Sequence, residues 1–298
     1  MPRIPTPTIG LLTQTPTQGD PHVWDVYIEN AFKRALCTPS STITYSTQTG
    51  TDYNSYFTGA QNLMRGDPGP PIVPPADVIV TAGKVAAQAC YDATNADANP
   101  IPVVVASAGD LSNLMGGNLT GCTNGQFDNA IVQARVNRMQ GQLNPTEVGV
   151  VGNYTPLQTA MNDVVAALAA IPKHPLVGHI VDVNPTNFQT PHDLQVILNN
   201  LKQQYPNVNA LYVCSDPFLR TKGNDLVQVA HNHPLGRFST MHEFAEWVNH
   251  HQGDRAYGPN FSQLFQRAAG YVDQIINGAL AANLPVFTPL TVDCVPTP

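Results

Sequence analysis

Short β-rich runs alternate with helix-length amphipathic stretches along most of this chain, and that alternation constrains its fold more than any other feature. Strands are expected at Thr8 to Leu12, Thr42 to Tyr45, Val78 to Val80, Val103 to Ala106, Val148 to Val151, Val177 to Val183 and Ala210 to Val213. Helices are expected at Trp24 to Leu36, Val85 to Tyr91, Gln126 to Gln140, Leu157 to Ala169, Leu194 to Leu201 and Leu226 to Ala230. Repeated βα units build a parallel sheet with helices on both faces. The polar, glycine-rich stretch from Gly109 to Gly125 interrupts the pattern, which then resumes. The fold class expected is α/β, with two doubly wound parallel-sheet lobes.

Local signals mark helix entries. Thr155-Pro156 places a capping hydroxyl before a proline suited to a first helical position, and Thr190-Pro191-x-Asp193 repeats that chemistry. Near the end of the chain, Phe261, Leu264, Phe265, Ala268, Val272, Ile275 and Ile276 recur at steps of three and four, the face of one helix. Asn260 with Gln263 suits its start and Gly278 its end. Tyr257-Gly258-Pro259 reads as a stiff turn entering this helix and Leu284-Pro285 as a second turn leaving it. Taken with the break at Gly109 to Gly125, these turns are expected to be crossings between lobes. Lobe one would then comprise 1–118 and 255–284, and lobe two 119–254 and 285–298.

The run Tyr257-Gly258-Pro259-Asn260, the helix from Arg267 to Gly278, and Leu284-Pro285-Val286 resemble the carboxyl end of the tryptophan/tyrosine-type substrate-binding proteins of ABC transporters. Asp77-Val-Ile-Val-Thr-Ala-Gly83, Ile101-Pro-Val-Val-Val-Ala106 and Asn118-Leu-Thr-Gly121 are similar to that family's third strand, fourth strand and entry to the second lobe. The resemblance implies a type I periplasmic-binding-protein fold with a three-crossing hinge. It implies a solute-binding protein that captures a small amino-acid-like or aromatic ligand in an interlobe cleft, closes about its hinge, and delivers the ligand to an ABC transporter permease. It also implies a periplasmic location. Relatives tend to carry Gly-Gly-Leu-Met-Ser before the Tyr-Gly-Pro turn, whereas this chain has His251-Gln-Gly-Asp-Arg-Ala256, a departure that bears on the class of ligand.

Ligands of open α/β sheets bind beyond the carboxyl ends of the strands, where loops offer free N–H groups and helices offer partial positive charge. The loops after the strands supply Gln14 and Thr15, Gly83 and Lys84, Ser107, Asn153 and Tyr154, and Asp216. Gly83 lets a ligand approach the backbone, or forms a plain tight turn. Lys84 can meet a carboxylate, Ser107 has a hydroxyl near the expected hinge, and Tyr154 offers a ring for stacking. Asp216 can take a ligand ammonium or cap the next helix. Gly83, Asp216 and Tyr257-Gly258-Pro259 match family positions at cleft-facing loops and at the hinge, so Tyr257 completes the expected site.

Composition narrows the function. A net charge of −7 without a basic run argues against a nucleic-acid surface. No apolar run approaches the ~20 residues that span a bilayer. The amino end, Met1-Pro-Arg-Ile-Pro-Thr-Pro, carries no signal-peptide core. A cytoplasmic ligand sensor of the same fold therefore stays open beside the exported transporter component. The five cysteines, Cys37, Cys90, Cys122, Cys214 and Cys294, are widely spaced and form no CxxC pair. They read as isolated small apolar residues, with one disulfide left open. No P-loop, Gly-x-Ser-x-Gly elbow or Rossmann glycine fingerprint occurs, so no catalytic residue and no cofactor is expected. His231, His233, His242, His250 and His251 cluster with Glu243, Glu246 and Asp254. His242 and Glu246 would share a helix face, but the zincin order His-Glu-x-x-His is not met, so no metal is expected and a metal-dependent enzyme is the third reading.

Overall fold

A computed structural model describes residues 4, 6–14, 28–39, 42–66, 74–97, 100–109, 111, 114, 117–123, 128–243, 252–288 and 292–294. The chain divides into two units, Met1–Asn124 with Phe261–Pro289 and Gly125–Asn260 with Leu290–Pro298.

Unit one contains β1 (Thr8–Gln14), β2 (Thr44–Gly50), β3 (Val78–Thr81), β4 (Val103–Ala108) and β5 (Leu119–Thr123), all parallel, in the order β2-β1-β3-β4-β5. The all-apolar runs at β3 and β4 are buried along their length, because helices cover both faces of a parallel sheet. Edge strand β2 is polar and half exposed, and it begins two residues later than its sequence suggests. In this unit, one α-helix and one strand have no counterpart among the expected elements. Helix α1 (Tyr53–Arg65) opens with a reciprocal Asp52–Ser55 capping box and buries Tyr56, Gly59, Ala60 and Leu63. Its stripe includes Gly59 and Ala60, since a β-carbon at Gly59 would lie 2.7 Å from Leu12, and such small residues hide the helical period. Strand β5 lies inside the glycine-rich break and pairs with β4. The first expected crossing therefore moves to the far side of β5.

Helix α2 (Lys84–Asn95) packs an alanine-rich face into the unit-one core. The chain returns to this unit for the last helix, whose expected stripe is buried throughout. That helix ends as its glycine foretold: Gly278 N–H donates to Ile275 O at 2.9 Å and Ala279 N–H to Gln274 O at 2.9 Å, the paired bonds of a Schellman cap. After it, Phe287 exchanges backbone bonds with Gly121 and Thr123, so 285–288 remain with unit one rather than passing to the other lobe.

Unit two repeats the winding. Strands β6 (Glu147–Gly152), β7 (Val177–Asp182), β8 (Val208–Val213), β9 (Ser239–His242) and β10 (Arg255–Gly258) are parallel. Strand β11 (Val292–Cys294) adds an antiparallel edge, in the order β11-β10-β9-β8-β6-β7. Between them run α3 (Asn129–Leu143), α4 (Tyr154–Ala169), α5 (Pro191–Gln204), α6 (Pro217–Thr221) and α7 (Gly223–His231); the returning helix of unit one is α8 (Phe261–Ile276). Tyr257 and Gly258, read as a turn, are the end of β10, paired to Asp293 and Val292. Arg255–Gly258 thus belongs to unit two, and the second crossing follows it. The Thr190 capping box forms as expected, with Asp193 N–H donating to the Thr190 hydroxyl and Thr190 N–H to Asp193 at 2.8 Å. The Thr155 cap does not form. Helix α4 starts two residues earlier than Pro156, at Tyr154, whose N–H is satisfied from outside by the Asp182 carboxylate at 2.8 Å.

Candidate functional site

The described candidate residues fall at or next to the carboxyl ends of the strands in each sheet. In unit one, Gly83 leads from β3 into α2 with φ of 90°, a conformation costly for any other residue. Its N–H donates to Ser107 O at 2.6 Å, tying the β3 loop to β4. A β-carbon there would meet nothing within 4 Å, so the glycine is set by conformation rather than crowding, and the space before it is open. Lys84 is the exposed first residue of α2. Ser107 is buried within β4, at the register shift between Val105 and Ala108, and not in the following loop. Gln14 is the last residue of β1, opposite Gly50, and Thr15 lies outside the described residues.

In unit two, Asn153 occupies the cap position of α4 in extended backbone, and its side chain makes no capping bond. Tyr154 is half-buried, and its hydroxyl accepts from Gln158 at 2.9 Å. Asp216 follows β8 and is buried. Its Oδ1 accepts from Leu219 N–H at 3.0 Å, so it caps α6. Burial pushes its carboxyl above the usual range, although the amides of Leu219 and Phe218 pull the other way. Tyr257 closes the edge at β10, half-buried, with the Arg138 guanidinium 4.2 Å from its ring centre.

Beneath this edge lies a buried polar network that the sequence reading missed. Arg135, on α3, is fully buried beside Glu243, which follows β9 and is 1% exposed. Arg135 Nε donates to Tyr257 O at 2.7 Å, and its Nη1 lies 3.6 Å from Glu243 Oε1. Glu243 accepts from the Tyr212 hydroxyl at 3.0 Å and from Ser215 N–H at 2.6 Å. Burial pushes the Glu243 carboxyl up, opposed by the Arg135 charge and by the bonds from Ser215 and Tyr212. The available signal was the stripe Val132, Arg135, Val136, Met139, in which a charge occupies an apolar position. The helix face expected to carry His242 and Glu246 does not include His242. His242 instead ends strand β9, and both His242 and Glu243 are buried; Glu246, His250 and His251 lie outside the described residues. Among the described residues no group of three His, Cys, Asp or Glu side chains could hold a metal ion. Nor is any described helix long and apolar enough to cross a membrane. Cys37, Cys90, Cys122 and Cys214 are free thiols.

No protein-family model matches the chain, and no curated protein does. Solved structures do match. An ABC-domain protein of Streptococcus pneumonia, solved in complex with L-Trp, is 17% identical with a TM-score of 0.69 over 96% of this chain and 91% of that one. A periplasmic solute-binding protein of an ABC transporter from Actinobacillus succinogenes, with bound D-allose, is 13% identical with a TM-score of 0.65 over 97% of each chain. A putative LacI transcriptional regulator of Bacteroides fragilis is 12% identical with a TM-score of 0.65, covering 96% of this chain and 95% of that one. The chain has the type I periplasmic-binding-protein fold. The likeness extends to a sugar-bound protein as well as to an L-Trp-bound one, so it does not single out the tryptophan/tyrosine type.

Proposed function

We propose that this protein is a solute-binding protein of an ABC transporter, taking a small organic ligand at the carboxyl edges of its two sheets and closing its lobes around it for delivery to a permease. The observation that supports this most is the whole-chain likeness to proteins solved with small ligands. In a doubly wound sheet the carboxyl edge is where loops and helix N-termini can receive a ligand without breaking the ladder. The residues proposed to contact it are Gln14, Thr15, Gly83, Lys84, Ser107, Asn153, Tyr154, Asp216 and Tyr257. Lys84 would meet a carboxylate and Asp216 an ammonium, with Tyr154 and Tyr257 as aromatic walls, which favours an amino-acid-like or aromatic ligand over a sugar. The location proposed is periplasmic.

A ligand sensor is the second reading, supported by the likeness to a putative LacI-type regulator. A thermal-shift screen of L-tryptophan, other aromatic acids, D-allose, D-arabinose and nucleosides tests ligand capture. A ligand present at a hundred times its Kd stabilises the native state by ~2.7 kcal/mol, a rise of roughly 5–10 °C for lobes of this size. If none of these compounds moves the melting temperature at millimolar concentration, the ligand class proposed is wrong. Once a ligand is identified, loss of its cellular uptake on gene deletion supports the transporter reading, and a changed transcript profile with uptake intact supports the sensor.

A further inference from the structure

We propose that the buried Arg135–Glu243 pair is a positioning device that holds the carboxyl ends of β8, β9 and β10 at a set spacing beyond the last pairs that join β9 to its two neighbours. The ladder between β8 and β9 ends at Val213 opposite His242, and the pairing of β9 with β10 ends at Ala256 opposite His242. Ser215, Glu243 and Tyr257 lie just past those last pairs. Glu243 takes the Ser215 N–H and the Tyr212 hydroxyl on the β8 side, and Arg135 takes the Tyr257 carbonyl on the β10 side. One ion pair thus spans three consecutive strand ends past the last β8–β9 and β9–β10 pairs, while β10 stays paired with β11 as far as Gly258. The β10 end is packed down on it: a β-carbon at Gly258 would lie 1.7 Å from Glu243 O and 3.2 Å from Arg135 Nη2.

Stability alone is a poor account of this arrangement. Arg135 occupies the apolar stripe of α3, where a methionine-like side chain would pack without desolvating a charge. Its two terminal nitrogens find no hydrogen-bond partner among the described residues, so the ion pair is far from its best geometry. What the pair supplies is directional: two hydrogen bonds to the Glu243 carboxylate, and one from Arg135 Nε to the Tyr257 carbonyl, fix where the strand ends sit. The proposal rests on the function proposed above only in taking the ends that carry Asp216 and Tyr257 as ligand loops.

The test compares three forms of the full chain without ligand by amide-resolved hydrogen exchange and thermal melting. Arg135→Met/Tyr212→Phe/Glu243→Leu removes the side-chain network as a unit; Glu243→Gln leaves one strong acceptor for the same donors. The triple variant should melt within about 3 °C of the parent. Its Ser215 amide should nonetheless exchange at least about tenfold faster, while the Cys214 amide, bonded to Val151 O at 2.9 Å, keeps its protection. Glu243→Gln should show a smaller loss at Ser215 than the triple variant, because its amide oxygen still accepts. Parent-like exchange at Ser215 in the triple variant overturns the proposal, because the ladder alone then holds the strand ends. A triple variant that melts far lower, or fails to fold, also overturns it, because the pair is then a stability element. Titration with L-tryptophan and D-allose is a separate arm. A ligand that binds the parent should bind the triple variant about ten to a hundred times more weakly, and equal affinity overturns the proposal. If neither compound binds the parent, the ligand class fails while the exchange data still decide the positioning role.

Discussion

Asp254 ties three elements together at the amino edge of unit two, and its removal should be felt above pH 4 and lost below it. Its carboxylate meets His231 Nε2 at 2.8 Å, Thr240 N–H at 2.8 Å, the Thr240 hydroxyl at 3.3 Å and the Arg237 guanidinium. Burial pushes this carboxyl up. The bonds from His231 and Thr240, with the charges of His231 and Arg237, together outweigh burial and bring it from 3.8 to about 2. A depressed carboxylate contributes stability that is fully present above its unfolded value and is lost as pH falls through its folded value, here between about 4 and 2. At ~1.36 kcal/mol per pKa unit the ceiling is ~2.4 kcal/mol. Arg237 is 56% exposed and solvent screens its charge, so ~1–1.5 kcal/mol is the expected contribution. Asp254→Asn mimics the protonated acid. Urea unfolding followed by circular dichroism should show the variant less stable by that amount from pH 7 down to about 4.5, with the gap closing towards pH 3. A gap that stays constant, or widens, as pH falls would refute the electrostatic account and leave a steric one.

Three further outcomes follow from the described contacts. Gly258→Ala should be far more damaging than Gly83→Ala, because the first drives a methyl into the Glu243 carbonyl whereas the second meets open space and bears only the cost of an extended backbone at positive φ, ~1–3 kcal/mol; comparison of soluble yield and melting temperature decides. Asp273 accepts from Cys37 N–H at 2.7 Å, Thr38 N–H at 3.1 Å and the Thr38 hydroxyl at 2.8 Å, so Asp273→Ala should cost about 2–4 kcal/mol by denaturant titration, with Asp273→Asn milder because it keeps one acceptor. Asp216→Asn keeps an N-cap acceptor and should change stability by less than ~1 kcal/mol, yet weaken any ammonium-bearing ligand at least about tenfold by calorimetry; unchanged affinity would remove Asp216 from the proposed site.

Much of the fold was legible because buried parallel strands and one-sided helices leave strong periods. Val78–Val80, Val103–Val105 and the stripe of α8 are apolar wherever they are buried. The misses share a cause: the signal is weak where burial uses small or polar residues. Helix α1 hides behind Gly59 and Ala60, β2 is a polar edge, and β5 sits in a run rich in glycine and asparagine. Each miss near a crossing moved a lobe boundary, since β5 and β10 are held by their sheets and not by the turns beside them. For the site, Gly83 and the residues after β6 and β8 lie at carboxyl edges, as loop position alone suggested, but Ser107 and Tyr257 are strand residues.

By itself the sequence determined the α/β class, the two windings, the entry to α5 and the ends of α8, because these follow from local period and capping chemistry within a few residues. Tertiary structure decided the rest. Why a charge sits among Val132, Val136 and Met139, and how Glu243 reaches Ser215 and Tyr212, are set by residues 28 or more positions apart. A hydrogen bond of that kind has no local spacing to betray it; it exists only once the sheet has brought its strand ends side by side.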